Sequence, residues 1–256
     1  MRRMIEVDLL RLGVPGTDAL LTMRSGGVSE GPYESLNLGL HVGDEHERVI
    51  ENRRRAAASL RAELEDLVFM DQVHGANVAV VDATSAGRGA TSTEDAIEAT
   101  DALVTTDRSI VLVTLVADCA PVLVCDPIAG VLGVAHAGWR GTVAGVSTAL
   151  VETMCAQGAN LADMIGVVGP AISPGAYEVG TEVAQAFVDA GFEPAIHDHA
   201  GHLHADVAGA NALSLLYAGL APENITLTQE SSDDAAFFSD RAERPCGRFG
   251  LLARLR

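Results

Sequence analysis

The 256 residues contain no lysine. Every fixed side-chain cation is therefore an arginine, which excludes a Schiff-base lysine, a pyridoxal-phosphate lysine and the lysine of a P-loop. Any phosphate bound here must meet guanidinium, metal or backbone N–H groups. Basic residues are also outnumbered: 17 Lys plus Arg stand against 35 Asp plus Glu, a formal net charge of −18. That balance argues against nucleic acid or an anionic membrane face as partner. No run reaches the roughly 18–20 apolar residues of a membrane span. The four cysteines, Cys119, Cys125, Cys155 and Cys246, are widely scattered, and the opening MRRMIEVDLL lacks the apolar core and cleavage site of a signal peptide. A reduced, cytoplasmic protein is the expectation. No repeat, heptad or Pro-rich linker divides the chain, and 48% apolar content supplies a sizeable core. The expected fold class is α+β, a single mixed α/β domain over residues 1–256.

Residues 1–44 read as a short strand-like opening followed by a stretch dense in Gly, Ser, Asn and Pro, in which Arg24 and Asn37 are polar groups in small or apolar company. Residues 45–67 read as a helix: the start DEHE suits the positive end of the dipole, and Val49, Ile50, Ala56, Leu60 and Leu64 recur at near-helical spacing. Asn52 and Arg53 to Arg55 fall on its solvent face, with Arg53 the candidate exception. Residues 67–81 read as a strand pair around DQVHGAN, with His74 at a turn. Residues 84–100, rich in Thr, Ser, Gly, Ala and acids, read as an exposed, mobile excursion. Helices are expected over 142–157, 181–190 and 206–219, and strands over 164–168 and 224–229.

The stretch 114–145, TLVADCAPVLVCDPIAGVLGVAHAGWRGTVAG, carries the chemistry. Two apolar, β-branched runs, 110–116 and 131–135, lead to Asp118 with Cys119 and to His136. A thiol and an imidazole at neighbouring strand ends fit a metal site, a Cys/His nucleophile pair, or coincidence. Adding His74 makes a Cys/His₂ set, the number and softness of a catalytic zinc with one coordination position open. His197, His199, His202 and His204 form the cluster HDHAGHLH, a candidate for a second metal, although a solvent-exposed Gly-containing loop is the simpler reading.

Several blocks then resemble one family. QVHGANV (72–78), TDALVT (100–105), ADCAPVLVCDP (117–127), GVAHAGWRG (133–141) and GPAISPGAYEVG (169–180) look like the signature blocks of the multicopper polyphenol oxidase (laccase domain) family. TMRSGGVSEGPYESLNLGLHVGD (22–44), ENR (51–53) and FFSDRAERPCGRFG (237–250) fit as well, so coverage is nearly the whole chain. The resemblance implies a zinc-dependent purine nucleoside phosphorylase acting on purine nucleosides and phosphate, with adenosine deaminase and methylthioadenosine phosphorylase activity, as a monomer or small homo-oligomer. It implies metal ligands at His74, Cys119 and His136, and a pocket bordered by Arg24, Asn37, Arg53 and Arg140. It also implies a fold of β-sheets flanked by helices, like the catalytic domain of cytotoxic necrotizing factor. One departure lies in the tail, where Asp240 replaces an expected aromatic or His and ERPC precedes GRFG.

On this reading phosphate is held by Arg140 with Arg24 or Arg53. Asp118 either orients a ligand histidine or donates a proton to the leaving base. Asp101 is a similar candidate or a strand-start turn residue. Cys125 reads as core, and Trp139 as packing or a stacking face for a purine. Three rivals stand beside it: a cysteine hydrolase with Cys119 as nucleophile and His136 as base, acting on an amide such as a cell-wall precursor; a structural metal site; and a copper-dependent polyphenol oxidase. Copper is the less favoured metal, since a laccase needs many more histidines.

Overall fold

A computed structural model describes residues 7–256. The strand-like opening and the leader reading of residues 1–10 therefore fall partly on residues 1–6, outside those described. The strands in chain order are β1 (Leu9–Arg11), β2 (Thr17–Thr22), β3 (Leu67–Phe69), β4 (Val78–Val80), β5 (Ala102–Thr105), β6 (Val111–Val116), β7 (Ala120–Asp126), β8 (Val131–Ala137), β9 (Ile165–Val168), β10 (Ile196–His199), β11 (His202–Ala205), β12 (Ile225–Leu227) and β13 (Phe249–Leu255). The helices are α1 (His46–Ala58), α2 (Trp139–Val143), α3 (Val146–Ala156), α4 (Thr181–Asp189) and α5 (Val207–Tyr217), with several short 3₁₀ turns between.

Two mixed sheets form the centre. One runs β1-β2-β13-β6-β3 and the other β12-β9-β7-β8-β5-β4, while β10 and β11 make a separate hairpin. Every residue of β6, β7 and β8 is buried, the pattern of strands covered on both faces. Alternation divides their side chains cleanly. Leu112 and Val116 of β6 meet Leu123 of β7 and Leu132 and Val134 of β8 in the layer between the sheets. Val111 and Val113 turn outward onto Ile50, Ala56 and Ala57 of α1. Val122, Val124 and Ala135 turn the other way, onto Leu150 and Met154 of α3 and Leu215 of α5. The result is a mixed α/β single domain of four layers, helix on sheet on sheet on helix. His136 shares the face of Leu132 and Val134, so it lies at one end of the inter-sheet layer.

Several expectations needed correction. The helix over 45–67 stops at Ala58, because the chain turns through Arg61 at φ 55° and restarts as a 3₁₀ turn capped by Glu63 and Asp66. The helix over 142–157 is two, broken at Gly145 with φ 84°. Strands β3 and β4 do not pair: β3 joins β6 in one sheet and β4 joins β5 in the other. The neighbours of β8 are β7 and β5, and β6 lies in the opposite sheet. Residues 84–100 are held down, with Ala90, Ala96 and Ile97 buried and Ile97 bridged to Met70. Asn52 is buried, where a solvent-facing position was expected. No helix among the described residues is long and apolar enough to cross a membrane.

Candidate metal centre

Because β3 and β4 belong to different sheets, the connection between them must cross the end of the inter-sheet layer, and His74 sits on that crossing with φ 62°. Cys119 arrives from the second sheet, one residue before β7, where Asp118 turns the chain at φ 83°. His136 arrives on β8, opposite Pro121 of β7. The ligand atoms of His74, Cys119 and His136 all lie within 4.8 Å of one another, a grouping of His, Cys, Asp and Glu found nowhere else among the described residues. The two imidazoles meet edge to face, with centroids 4.7 Å apart.

Asp101 builds this arrangement. It is fully buried just ahead of β5, whose Ala102 pairs with Ala135, so the next residue out faces His136. The backbone agrees, since the His136 N–H donates to the Asp101 carbonyl at 2.7 Å. The carboxylate accepts N–H groups from Val73 (3.3 Å), His74 (3.0 Å) and Gly75 (2.6 Å), and stands 2.9 Å from His136 Nδ1. An ionised carboxylate only accepts, so Nδ1 carries the proton and Nε2 is left as the ligand atom. Gly138 closes the site from the other side: a Cβ there would stand 2.7 Å from Cys119 Sγ and 2.9 Å from His74 Cδ2.

Electrostatics favours the ligand form of the sulfur. Burial opposes charge on Cys119, but His136 and His74, both hydrogen-bonded to it, outweigh that and bring the thiol down to about 6. Burial likewise opposes charge on His136, yet Cys119 and Asp101 hold its pKa up to about 9. A thiolate with two imidazoles and a carboxylate behind one ring fits a divalent metal with an open coordination position. The donor set suits zinc and copper alike.

The trio lines a cavity of ≈ 620 Å³ that also takes in Arg140, Arg241, Arg244 and Arg248. Arg140 is exposed, lies 4.3 Å over the Trp139 ring, and makes no ion pair among the described residues. Trp139 is thus half-buried and committed to that arginine face. Arg241 lies 5.0 Å over Tyr177, and Arg244 and Arg248 both pair with Asp240.

The other expected pocket residues divide. Arg53 borders the cavity, but its buried guanidinium donates to the carbonyls of Leu38 (2.8 Å), Gly89 (2.6 Å) and Ala90 (2.9 Å), so it fastens the wall. Arg24 and Asn37 do not reach the cavity. Arg24 is spent on Glu34 and Glu243 beside Phe238, and Asn37 is fully buried, its Oδ1 accepting the Arg248 N–H at 2.8 Å. Both carboxylate oxygens of Asp118 are taken, by Ser232 Oγ and Arg241 N–H, each at 2.7 Å, which anchors the tail carrying Arg241. Cys125 is core, as expected. Arg241, Arg244, Arg248, Tyr177 and Gly138 were missed as individual residues, although the blocks 237–250, 169–180 and 133–141 that contain them were recognised.

Residues 18–256 match the family described as multi-copper polyphenol oxidoreductase laccase. The chain belongs to this laccase family. Among its relatives are an adenosine deaminase, RL5, from an unknown prokaryotic organism, 38% identical over 246 residues covering 93% of this chain and 94% of that one. A purine nucleoside phosphorylase of Deinococcus radiodurans is 39% identical over 246 residues, 96% and 91% of the two chains. The crystal structure of YlmD from Geobacillus stearothermophilus superposes with a TM-score of 0.91 at 34% identity, over 99% of each chain. The family fold is therefore shared along the laccase-family chain described here.

Proposed function

We infer that this chain, acting as one unit over residues 1–256, is a zinc-dependent purine nucleoside phosphorylase. It would convert inosine, guanosine and adenosine with phosphate to base and ribose 1-phosphate, and would carry adenosine deaminase and S-methyl-5′-thioadenosine phosphorylase activity. The observation that carries this reading is the meeting of His74, Cys119 and His136, a donor set able to hold a metal, at a nucleoside-sized cavity lined by arginines. The names of the phosphorylase and deaminase relatives support it.

Held by His74, Cys119 and His136, a zinc would supply Lewis acidity toward the substrate. The chain's own residues do the rest. Asp101 keeps the His136 proton on Nδ1 and fixes the His74 turn, so both rings are oriented before substrate enters. Arg140, free of carboxylate partners among the described residues, is the proposed bidentate clamp for phosphate. Arg241, Arg244 and Arg248 supply a positive wall around it. Asp118 acts by positioning Arg241, and Asn37 by positioning Arg248. Three ligands are too few for a trinuclear copper centre plus a blue-copper site, which argues against laccase chemistry despite the family's description.

A second reading rests on the same atoms. Cys119, His136 and Asp101 stand in the order nucleophile, base and orienting carboxylate, the arrangement of a cysteine hydrolase. Purified protein assayed for phosphate-dependent conversion of inosine to hypoxanthine separates the two. Activity lost on chelation, restored by zinc and absent from Cys119→Ala supports the phosphorylase. Inertness toward nucleosides, with metal-independent amide hydrolysis that iodoacetamide abolishes, would establish the hydrolase instead.

A further inference from the structure

The segment HDHAGHLH folds as the hairpin of β10 and β11, correcting the expectation of a loop. Ala200 (φ 58°) and Gly201 (φ 89°) form a two-residue turn with both residues left-handed, which matches the twist of the flanking strands. That turn sets the register, His197 opposite His204 and His199 opposite His202. Residues two apart and residues directly across share a face, so all four imidazoles stand on one side of the ribbon. Ile196, Leu203 and Ala205 occupy the other side, where Ile196 and Ala205 join the core against the helices. A one-residue slip would bury the histidines, so the apolar face holds them outward.

The neighbouring segment extends the ribbon. Val179 N–H donates to Leu203 O at 2.8 Å and Ala205 N–H to Tyr177 O at 3.1 Å, which sets Glu178 opposite His204. His204 Nδ1 lies 2.7 Å from Pro174 O, and His202 Nδ1 lies 2.8 Å from Glu178 Oε1. Carbonyl and carboxylate oxygens only accept, so each of these rings carries its proton on Nδ1 and leaves an Nε2 lone pair unused. The ring centroids of His199 and His204 are 5.1 Å apart at 80°, and those of His197 and His199 are 6.3 Å apart. A metal–nitrogen bond of about 2.0–2.1 Å places each ring centre roughly 3.2 Å from a shared ion, and so places co-ligand rings about 5–6 Å apart. The His199–His204 spacing lies within that range and the His197–His199 spacing just above it, so the rings must turn toward one another to share an ion.

The geometry points to a second metal site on this hairpin: His197, His199 and His204 take one divalent transition ion through imidazole nitrogen, with His202 held aside by Glu178. An all-imidazole set on an open surface selects the zinc, copper and nickel class over magnesium or calcium, which require oxygen ligands. The site is separate from the pocket trio, and its existence does not depend on the proposed enzymology.

Untagged protein dialysed to equilibrium against zinc tests this directly. Cys119→Ala dismantles the pocket trio, and that protein is expected to retain one exchangeable zinc. Adding H197Q and H199Q to it should abolish the uptake while circular dichroism stays unchanged, whereas H202Q should retain it. In the otherwise unaltered chain, H197Q with H199Q should lower uptake by one equivalent, which keeps the test open if Cys119→Ala fails to fold. Copper(II) bound to Cys119→Ala should show nitrogen hyperfine structure that the double substitution removes. A zinc uptake indifferent to H197Q and H199Q, in either background, overturns the proposal.

Discussion

Asp101 accepts from the backbone of the His74 turn and faces the His136 ring, so one buried carboxylate holds both candidate ligand histidines without joining the trio. Asp101→Asn replaces an acceptor oxygen by a donor and should weaken zinc binding about 10–100-fold, measured by competition with a chromophoric chelator. Gly138→Ala drives a methyl group into the space of Cys119 Sγ and is expected to lose metal while the fold persists. Cys125 is the chemical opposite of Cys119, its thiol pushed up to about 12 by burial and by Asp126. Its preference for the neutral form is whole below the unfolded pKa of about 8.5 and is lost only as pH rises toward the folded value. Mass labelling with iodoacetamide near pH 8.5 should therefore leave Cys125 unmodified in the folded protein and label it in urea. At this scale the three candidate residues that meet, His74, Cys119 and His136, were legible, because soft side chains beside turns are few. For Asp101 the sequence left a ligand-orienting role and a strand-start turn role open, because its partners come from residues 73–75 and 136.

Among the elements, α1 does more than cover a sheet. Asn52 accepts from the Val28 N–H (2.8 Å) and donates to Ser29 Oγ (2.8 Å), Ser35 O (3.1 Å) and Asn37 O (2.8 Å), binding the glycine-rich loop to the helix. Asn52→Ala strands several of these buried groups and should destabilise by about 3 kcal/mol in urea unfolding, at roughly 1–3 kcal/mol for each group left unpaired. Gly133 on β8 lets α3 sit close, since a Cβ there would meet Leu150 Cδ1 at 2.6 Å and Met154 Sδ at 2.9 Å. Gly133→Ala should cost about 1–3 kcal/mol by the same measurement. Element types were mostly readable from periodicity, as α4, α5 and β9 show. Strand partners were not: β3 and β4 are short apolar runs whose local pattern is the same whether they pair or part.

Over the whole molecule a net charge of −18 surrounds a pocket whose lining gathers five arginines, Arg53 in its wall and Arg140, Arg241, Arg244 and Arg248 around it. A positive cavity in an acidic protein concentrates field where phosphate would enter, and salt screens that attraction. Arg140→Gln should raise the KM for phosphate about 10- to 100-fold, as expected for losing one charge-assisted contact of about 1.5–3 kcal/mol, and should flatten its dependence on ionic strength in a steady-state assay. The amino-acid string by itself determined which soft donor side chains are available, the lack of any lysine and the family, because these depend on which residues are present and in what order. Only the tertiary structure decided that β3 and β4 part between two sheets, that the intervening loop brings His74 over Cys119 and His136, and that Arg53 and Asn37 brace the wall. Such placements are set by the packing of segments far apart in the chain, which no local pattern of side chains encodes.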